Sequence, residues 1–314
     1  MKVFRSFGLP EKYYNSSLAI GNFDGVHIGH QAVIKTAKLV ANKKKSKLGV
    51  LTFEPHPKCF FAKKYDYFRL TTFREKYLIL KKFNIDFMIT IRFNSNFLKI
   101  SADDFIIKQL VGQLHVGDVI TGFDFVFGNK KKGNIKLLKY YSNKTKKFNF
   151  HEVAEIKKKN FEISSSIIRD FLRNGEISTA NKILSRNWSI SSRIIYGNKN
   201  GRTIGFKTAN IQVNQFCNIE YGVYLVKVQI PKLLAEKSLF GIANYGVKPT
   251  VKNQSPLLEV HIFNFNEEIY RQRIRVEFLR FIRHEKKFDS LEKLKSQIIK
   301  DIKQAKNDRL FKNN

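Results

Sequence analysis

The sequence predicts two domains, an α/β domain with a doubly wound parallel sheet followed by an antiparallel β-barrel with a terminal helix. The first half alternates short apolar runs with stretches of helical periodicity, the pattern of a parallel sheet covered by helices. The second half has alternating apolar segments without a long helix between them, which is typical of a barrel. The 314 residues suffice for two cores. We place the domains at residues 1–186 and 187–314.

Apolar runs bounded by polar residues are the predicted strands of the first domain. They are residues 18–20, 47–53, 87–93 and 116–121. Residues 31–40 form the helix after the first of these strands. Ser101 and Asp104 have the spacing of a capping box, ahead of apolar residues at helical spacing. One helical stretch from about Ser165 to Leu184 is predicted to close the domain.

The second domain is predicted from apolar positions that alternate along the chain. The predicted strands are residues 191–196, 222–230, 238–245, 257–265 and 273–281. A capping pattern at residues 289–292 starts the last helix. Its apolar stripe consists of Leu291, Leu294, Ile298 and Ile302.

The segment between the first predicted strand and its helix has the composition of a phosphate-binding turn. Gly21, Gly25 and Gly29 let backbone amides approach a ligand closely. His27 and His30 open the helix, where N–H groups and the helix dipole favour anions. A helical zinc pair usually spaces its histidines by four and needs further ligands, and none is near in the sequence. A capped turn without a ligand is the simpler alternative, but we favour a site for the triphosphate of a nucleotide.

The net charge of +32 comes mainly from dispersed lysines. Strong basicity is common in nucleic-acid-binding proteins, which makes such a protein the competing hypothesis. The lysine runs at 43–45, 130–132 and 157–159 lack the interleaved aromatic residues of a single-strand binding surface. We attribute the excess to drift in an A+T-rich genome and expect no specific nucleic-acid partner.

The sequence also predicts the compartment. It has no signal-peptide pattern and no apolar run that approaches the length of a membrane span. Cys59 and Cys217 lie far apart without a partner motif, which argues against a disulfide scaffold and suits a reducing cytosol. We expect a cytoplasmic protein without membrane attachment, mostly monomeric and with at most weak self-association.

Motifs spread over nearly the whole chain resemble those of the bacterial bifunctional FAD synthetases (riboflavin kinase/FMN adenylyltransferase). Those of the adenylyltransferase are GNFDGVHIGH at 21–30, TFEPHP at 52–57, GFDFVFG at 122–128 and ISSSIIR at 163–169. Those of the kinase are GRTIGFKTAN at 201–210, GVKPT at 246–250, LEVHIF at 258–263 and RHEKKF at 283–288. Several separated motifs in the expected order are more specific than any one alone.

The resemblance implies that the first domain is a Rossmann-like nucleotidyltransferase that adenylylates FMN to FAD and releases pyrophosphate. It implies that His27 and His30 hold the ATP phosphates and that Arg169 contacts them from the other side. It also assigns ligand contacts to Gly21, Asn22, Asp24, Gly25, Gly29, Asp124, Ser164, Ser165 and Ser166.

The same resemblance implies a riboflavin kinase in the second domain. Glu259 would be the general base for the ribityl hydroxyl, and Thr208 and Asn210 would ligate Mg²⁺ beside ATP. Gly201 and Gly205 would let the loop approach the phosphates. ATP, riboflavin, FMN and FAD are the expected partners. Lys207 stands where the family usually has proline, so the alternative is an FMN adenylyltransferase with an impaired kinase domain.

Overall fold

The structure is a computed structural model that describes residues 1–63, 67–158, 161–196, 205–230, 238–247 and 256–312. The chain forms two compact units. The first comprises Met1–Tyr65 and Thr71–Ser165, and the second comprises Asp66–Leu70 and Ser166–Asn314. The contacts therefore divide after Ser165, whereas the functional boundary between residues 186 and 187 stays a prediction.

A six-stranded sheet with only parallel pairs forms the centre of the first unit, as predicted. Its order is β1-β4-β3-β2-β5-β6, where the strands are β1 (Lys2–Phe4), β2 (Ser17–Ile20), β3 (Leu48–Glu54), β4 (Phe87–Arg92), β5 (Asp118–Gly122) and β6 (Asn149–Val153). The sequence analysis missed the edge strands β1 and β6. Neither contains a buried residue, so no continuous apolar run marks them.

Helices cover both faces of this sheet. They are α1 (Ile28–Lys44), α2 (Pro57–Ala62), α3 (Phe73–Lys81), α4 (Ser95–Leu98), α5 (Ala102–Asp104) continuing as a π-helix (Phe105–Gln113), and α6 (Ile135–Thr145). Two short 3-10 helices (Glu11–Tyr13 and Asn129–Lys131) and a hairpin of β7 (Lys157–Lys158) with β8 (Phe161–Glu162) complete the unit. The predicted cap is confirmed, because the Ser101 hydroxyl accepts from the amide of Asp104 at 3.0 Å.

The core of the first unit lies in two layers, one on each face of the sheet. Leu18 and Ile20 of β2 belong to one buried cluster, and Ala19 between them belongs to the other. Successive side chains of a strand point to opposite faces, so this strand is buried on both sides. That arrangement confirms the predicted doubly wound α/β architecture.

The second unit contains a closed antiparallel barrel with the order β10-β13-β12-β11-β14-β9. Its strands are β9 (Ser189–Ile195), β10 (Ala209–Gln212), β11 (Gly222–Gln229), β12 (Ser238–Gly246), β13 (Leu257–Ile262) and β14 (Arg273–His284). The barrel confirms the predicted class. Strand β10 was missed because it is short and only Ala209 and Ile211 mark its apolar face.

The remaining helices belong to the second unit, apart from the first residue of α7. They are α7 (Ser165–Arg173), α8 (Ile177–Leu184), α9 (Leu291–Asn307) and α10 (Arg309–Lys312). The prediction of one helical stretch over 165–184 is wrong, because Gly175 adopts a φ of 74°, a left-handed conformation that ends a helix. Helix α9 begins with Ser290 as its N-cap, and Asp301 accepts hydrogen bonds from the Arg283 guanidinium on β14 at 2.7–3.0 Å. Among the described residues, no helix has both the length and the apolar character needed to cross a membrane.

Candidate active sites

The topology of the first unit directs attention to the carboxyl ends of β2 and β5. Strand β3, the next strand along the chain, pairs with β2 on one side, and β5 pairs with β2 on its other side. Ligands of such sheets bind where the strand order reverses in this way. The turn Gly21–His27 follows β2, and the exposed Asp124 follows β5. Two of the predicted motifs therefore emerge from neighbouring strands at one edge.

His27 and His30 form a stacked pair at the start of α1. His27 is the N-cap, and its Nδ1 accepts from the amide of His30 at 3.3 Å. The ring centroids lie 3.6 Å apart with an interplanar angle of 22°. Because Nδ1 is the acceptor, the proton of neutral His27 sits on Nε2, which is a donor. Gly29 leaves room for this ring, since a Cβ there would lie 3.1 Å from it.

Asp24 anchors the turn to Thr71, a residue distant in the sequence. Its Oδ1 accepts from the amide of Thr71 at 3.0 Å and from the Thr71 hydroxyl at 3.3 Å. The amide of Gly25 donates to the same hydroxyl at 3.0 Å. Asp24 is buried, and the contacts described here position the turn. Direct contact of Asp24 with a ligand stays a prediction.

Asn22 meets a buried lysine that the sequence analysis missed. Its carbonyl accepts from Lys76 Nζ at 2.9 Å and from the Thr52 hydroxyl at 3.1 Å. Lys76 lies on α3 and is only 3% exposed. It follows Phe73 by three residues and precedes Leu80 by four, so helical spacing puts it on the buried stripe. A lysine on an apolar stripe is the signal that could have revealed it.

The predicted serine block begins helix α7. The Ser165 hydroxyl donates to the carbonyl of Asp24 at 2.9 Å, so Ser165 is held against the turn Gly21–His27. Ser164 is half-buried and Ser166 is exposed. Arg169 lies one turn further along the helix, in the second unit. Its Nε donates to the carbonyl of Phe68 at 2.7 Å, and its guanidinium carbon lies 4.0 Å from the centre of the Phe68 ring.

The barrel brings Asn210, Glu259 and Asn244 side by side on three strands. Glu259 pairs with Asn210 on β10 and with Asn244 on β12. Directly opposed side chains share a face, with Cβ atoms about 5 Å apart. Leu258 and Val260 are fully buried, which places Glu259 on the outer face of β13. Asn244 was missed, although the buried residues flanking it mark the same alternation.

The loop before β10 carries the remaining predicted kinase residues. Thr208 is half-buried, two residues before Asn210. Gly205 has a φ of 90°, and a Cβ there would meet no atom within 4 Å. The backbone conformation is therefore what requires glycine. His261 Nδ1 donates to the carbonyl of Lys207 at 2.9 Å, while the Lys207 side chain is exposed. Gly201 lies outside the described residues.

Oxygen atoms dominate the groups near Glu259 that could bind a metal. Thr208 offers a hydroxyl and Asn210 an amide oxygen, which suit the hard cation Mg²⁺. Over the part of the chain that the structure describes, no group of three or more His, Cys, Asp or Glu residues could hold a metal ion. Two protein oxygens suit an ion that keeps waters and substrate phosphates among its ligands. Mg²⁺ binding stays a prediction.

Comparison with known proteins matches a different family model to each part of the chain. Residues 9–167 match the family model of FAD synthetase, and residues 184–308 match that of riboflavin kinase. The bifunctional riboflavin kinase/FMN adenylyltransferase of Buchnera aphidicola subsp. Schizaphis graminum is 40% identical over 98% of both chains. The enzymes of that name from Haemophilus influenzae and Escherichia coli K12 are 41% and 36% identical, covering 92% and 90% of this chain and 93% and 90% of theirs.

A solved structure has the same fold along nearly the whole chain. It is described as a macrolide-efflux protein from Streptococcus pneumoniae, is 28% identical, and matches with a TM-score of 0.84 over 97% of this chain and 98% of that one. Two family models that match one after the other along the chain, and curated relatives of nearly full length, lead to one assignment. The chain belongs to the family of bifunctional riboflavin kinase/FMN adenylyltransferases.

Proposed function

We propose that this chain makes FAD from riboflavin in two steps, each using one ATP. The kinase phosphorylates riboflavin to FMN, and the adenylyltransferase joins FMN to the adenylyl group of ATP and releases pyrophosphate. The observation that carries this function is the match of both family models, in order, along one chain. The alternative, an adenylyltransferase with an impaired kinase, rests only on Lys207 and is less well supported.

Adenylyl transfer needs charge neutralisation and alignment. A phosphate oxygen of FMN attacks the α-phosphorus of ATP, and the bond to the bridging oxygen of pyrophosphate breaks. The nucleophile is already an anion, so positioning and electrostatic stabilisation supply the catalysis. The stacked His27 and His30 at the start of α1 would bind the phosphates. Ser165, the first residue of α7, would also contact the phosphates, and the family resemblance assigns Arg169 the same role.

Phosphorylation of riboflavin needs a base for an alcohol. Glu259 would take the proton of the ribityl hydroxyl as its oxygen attacks the γ-phosphorus and ADP leaves. Asn210 and Asn244 flank Glu259 in the sheet and would orient substrate groups through their amides. Mg²⁺ held by the oxygens of Thr208 and Asn210 would screen the negative charge of the phosphates.

The cellular setting proposed for this enzyme is the cytoplasm. Its support is that Cys59 and Cys217 are buried thiols, which suit a reducing compartment. A monomeric state and the absence of specific nucleic-acid or membrane partners stay predictions.

One assay tests both activities. Purified protein is incubated with riboflavin and Mg-ATP, and the flavins are separated by chromatography while pyrophosphate is measured. We expect FMN to appear first, followed by FAD and pyrophosphate in equal amounts. Formation of FAD from supplied FMN, without any FMN from riboflavin, would favour the impaired-kinase alternative.

A further inference from the structure

We propose that Lys76 is a positioning residue for adenylyl transfer, which acts by holding Asn22 in the turn Gly21–His27. This inference rests on the adenylyltransferase function proposed above and adds a residue to its site. The distinguishing feature of Lys76 is that its ammonium group is buried beneath the turn.

The contacts of Lys76 join three separate elements of the first unit. Its Nζ on α3 donates to the carbonyl of Asn22, after β2, at 2.9 Å, and to the hydroxyl of Thr52, on β3, at 3.4 Å. Thr52 also donates to the Asn22 carbonyl at 3.1 Å. A hydrogen bond from an ammonium group is stronger than a neutral one, and burying that group is costly unless it is well paired. The ammonium is thus well placed to hold this carbonyl.

The backbone that follows Asn22 needs such support. Phe23 and Val26 have φ values of 50° and 43°, a region that side chains rarely adopt and that is most unfavourable for a β-branched residue. Conformations of this kind persist only where surrounding contacts enforce them, and they cluster at functional sites. Because C=O and N–H point in opposite directions across a trans peptide, Lys76 also turns the amide of Phe23 away from itself.

The side chain of Asn22, the residue that Lys76 holds, has a hydrogen-bond acceptor left unsatisfied by the described residues. Asn22 Oδ1 is buried and makes no hydrogen bond to any described residue. Buried polar atoms are nearly always hydrogen-bonded, so a bound ligand is the expected partner of this amide. The orientation of the amide depends on the Asn22 backbone, and hence on Lys76.

The test compares three separate lysine variants. Each is made in the full chain, so that the riboflavin kinase activity of the same protein serves as an internal control. Lys76→Met removes the ammonium and keeps an apolar stem, Lys76→Arg keeps the charge, and Lys81→Met makes the same change at an exposed position of the same helix. We expect Lys76→Met to lower kcat for FAD formation about 10- to 100-fold, the scale of a lost charge-assisted hydrogen bond. We expect Lys76→Arg to recover part of the rate, and Lys81→Met to leave it unchanged. Riboflavin kinase rates should stay at the wild-type value in all three.

A double-mutant cycle distinguishes positioning through Asn22 from a general effect on folding. If Lys76 acts through Asn22, the double variant Lys76→Met/Asn22→Ala loses little more than the more damaged single variant. Additive losses, or losses that follow the thermal midpoint in Lys76→Met and Lys76→Arg alike, would overturn the inference. Wild-type protein that makes no FAD would refute the proposed function, whereas normal FAD formation by Lys76→Met would refute the role of Lys76 alone.

Discussion

The two candidate sites are assembled in opposite ways. In the first unit, the single segment Gly21–His30 supplies the stacked histidines, Asn22 and Asp24, while Thr71 and Lys76 secure it from outside. In the second unit, Asn210, Glu259 and Asn244 come from three strands and meet only through the register of the barrel. A local motif brings its residues together within one segment, whereas strand pairing is needed to show which residues of a cross-strand site lie side by side.

The largest effect should come from the centre of the cross-strand site. Glu259→Gln keeps the shape of the side chain and removes the base, so FMN formation should fall roughly 10²- to 10⁴-fold. FAD formation from supplied FMN should persist, because it uses the other unit. Glu267→Gln at an exposed position is the control. Equal rates of FMN formation in Glu259→Gln and wild type would rule out Glu259 as the base.

The next largest effect should come from the local motif. His30→Ala removes one positioned phosphate donor, so FAD formation should fall on the order of 10²- to 10³-fold, while FMN formation stays largely intact. His115→Ala, an exposed histidine preceding β5, is the control. Initial rates of both reactions measure the effect. An equal loss of both activities in a folded variant would contradict two separate sites.

Asn244 sharpens the comparison because only strand pairing identifies it. Asn244→Ala should lower FMN formation about tenfold, the scale of one lost substrate hydrogen bond, without changing FAD formation. Exposed Asn266, changed to alanine, is the matched control. Unchanged steady-state kinase kinetics in Asn244→Ala would exclude Asn244 from the site.

The smallest effect is expected at Lys207, where the family pattern and this chain differ. The Lys207 side chain is exposed and its carbonyl is held by His261. Lys207→Pro should therefore hold or improve kinase activity, with rates within about threefold of wild type, because proline stiffens a compatible loop. Lys207→Ala separates loss of charge from the effect of proline. A raised apparent KM for ATP in both variants would instead identify Lys207 as a phosphate ligand.

Much of the fold was predictable because its signals are local. Apolar runs predicted β2 to β5, alternation predicted five of the barrel strands, and Ser101 predicted a cap that the structure confirms. The edge strands β1 and β6 lack buried residues, and β10 is short, so their pattern was too weak. The helix break at Gly175 was not predicted, because glycine is compatible with a continuous helix until packing selects a positive φ.

The sequence by itself determined the two domain classes and the chemistry available to each, because side-chain type, periodicity and the strand–turn–helix motif are properties of short segments. Only the tertiary structure decided which groups meet. It paired Glu259 with Asn244, and it placed the Lys76 ammonium against the carbonyl of Asn22. Strand register and helix packing join segments that are distant along the chain, and their free energy depends on the whole core. No local pattern at Lys76 or Asn244 could therefore identify their partners.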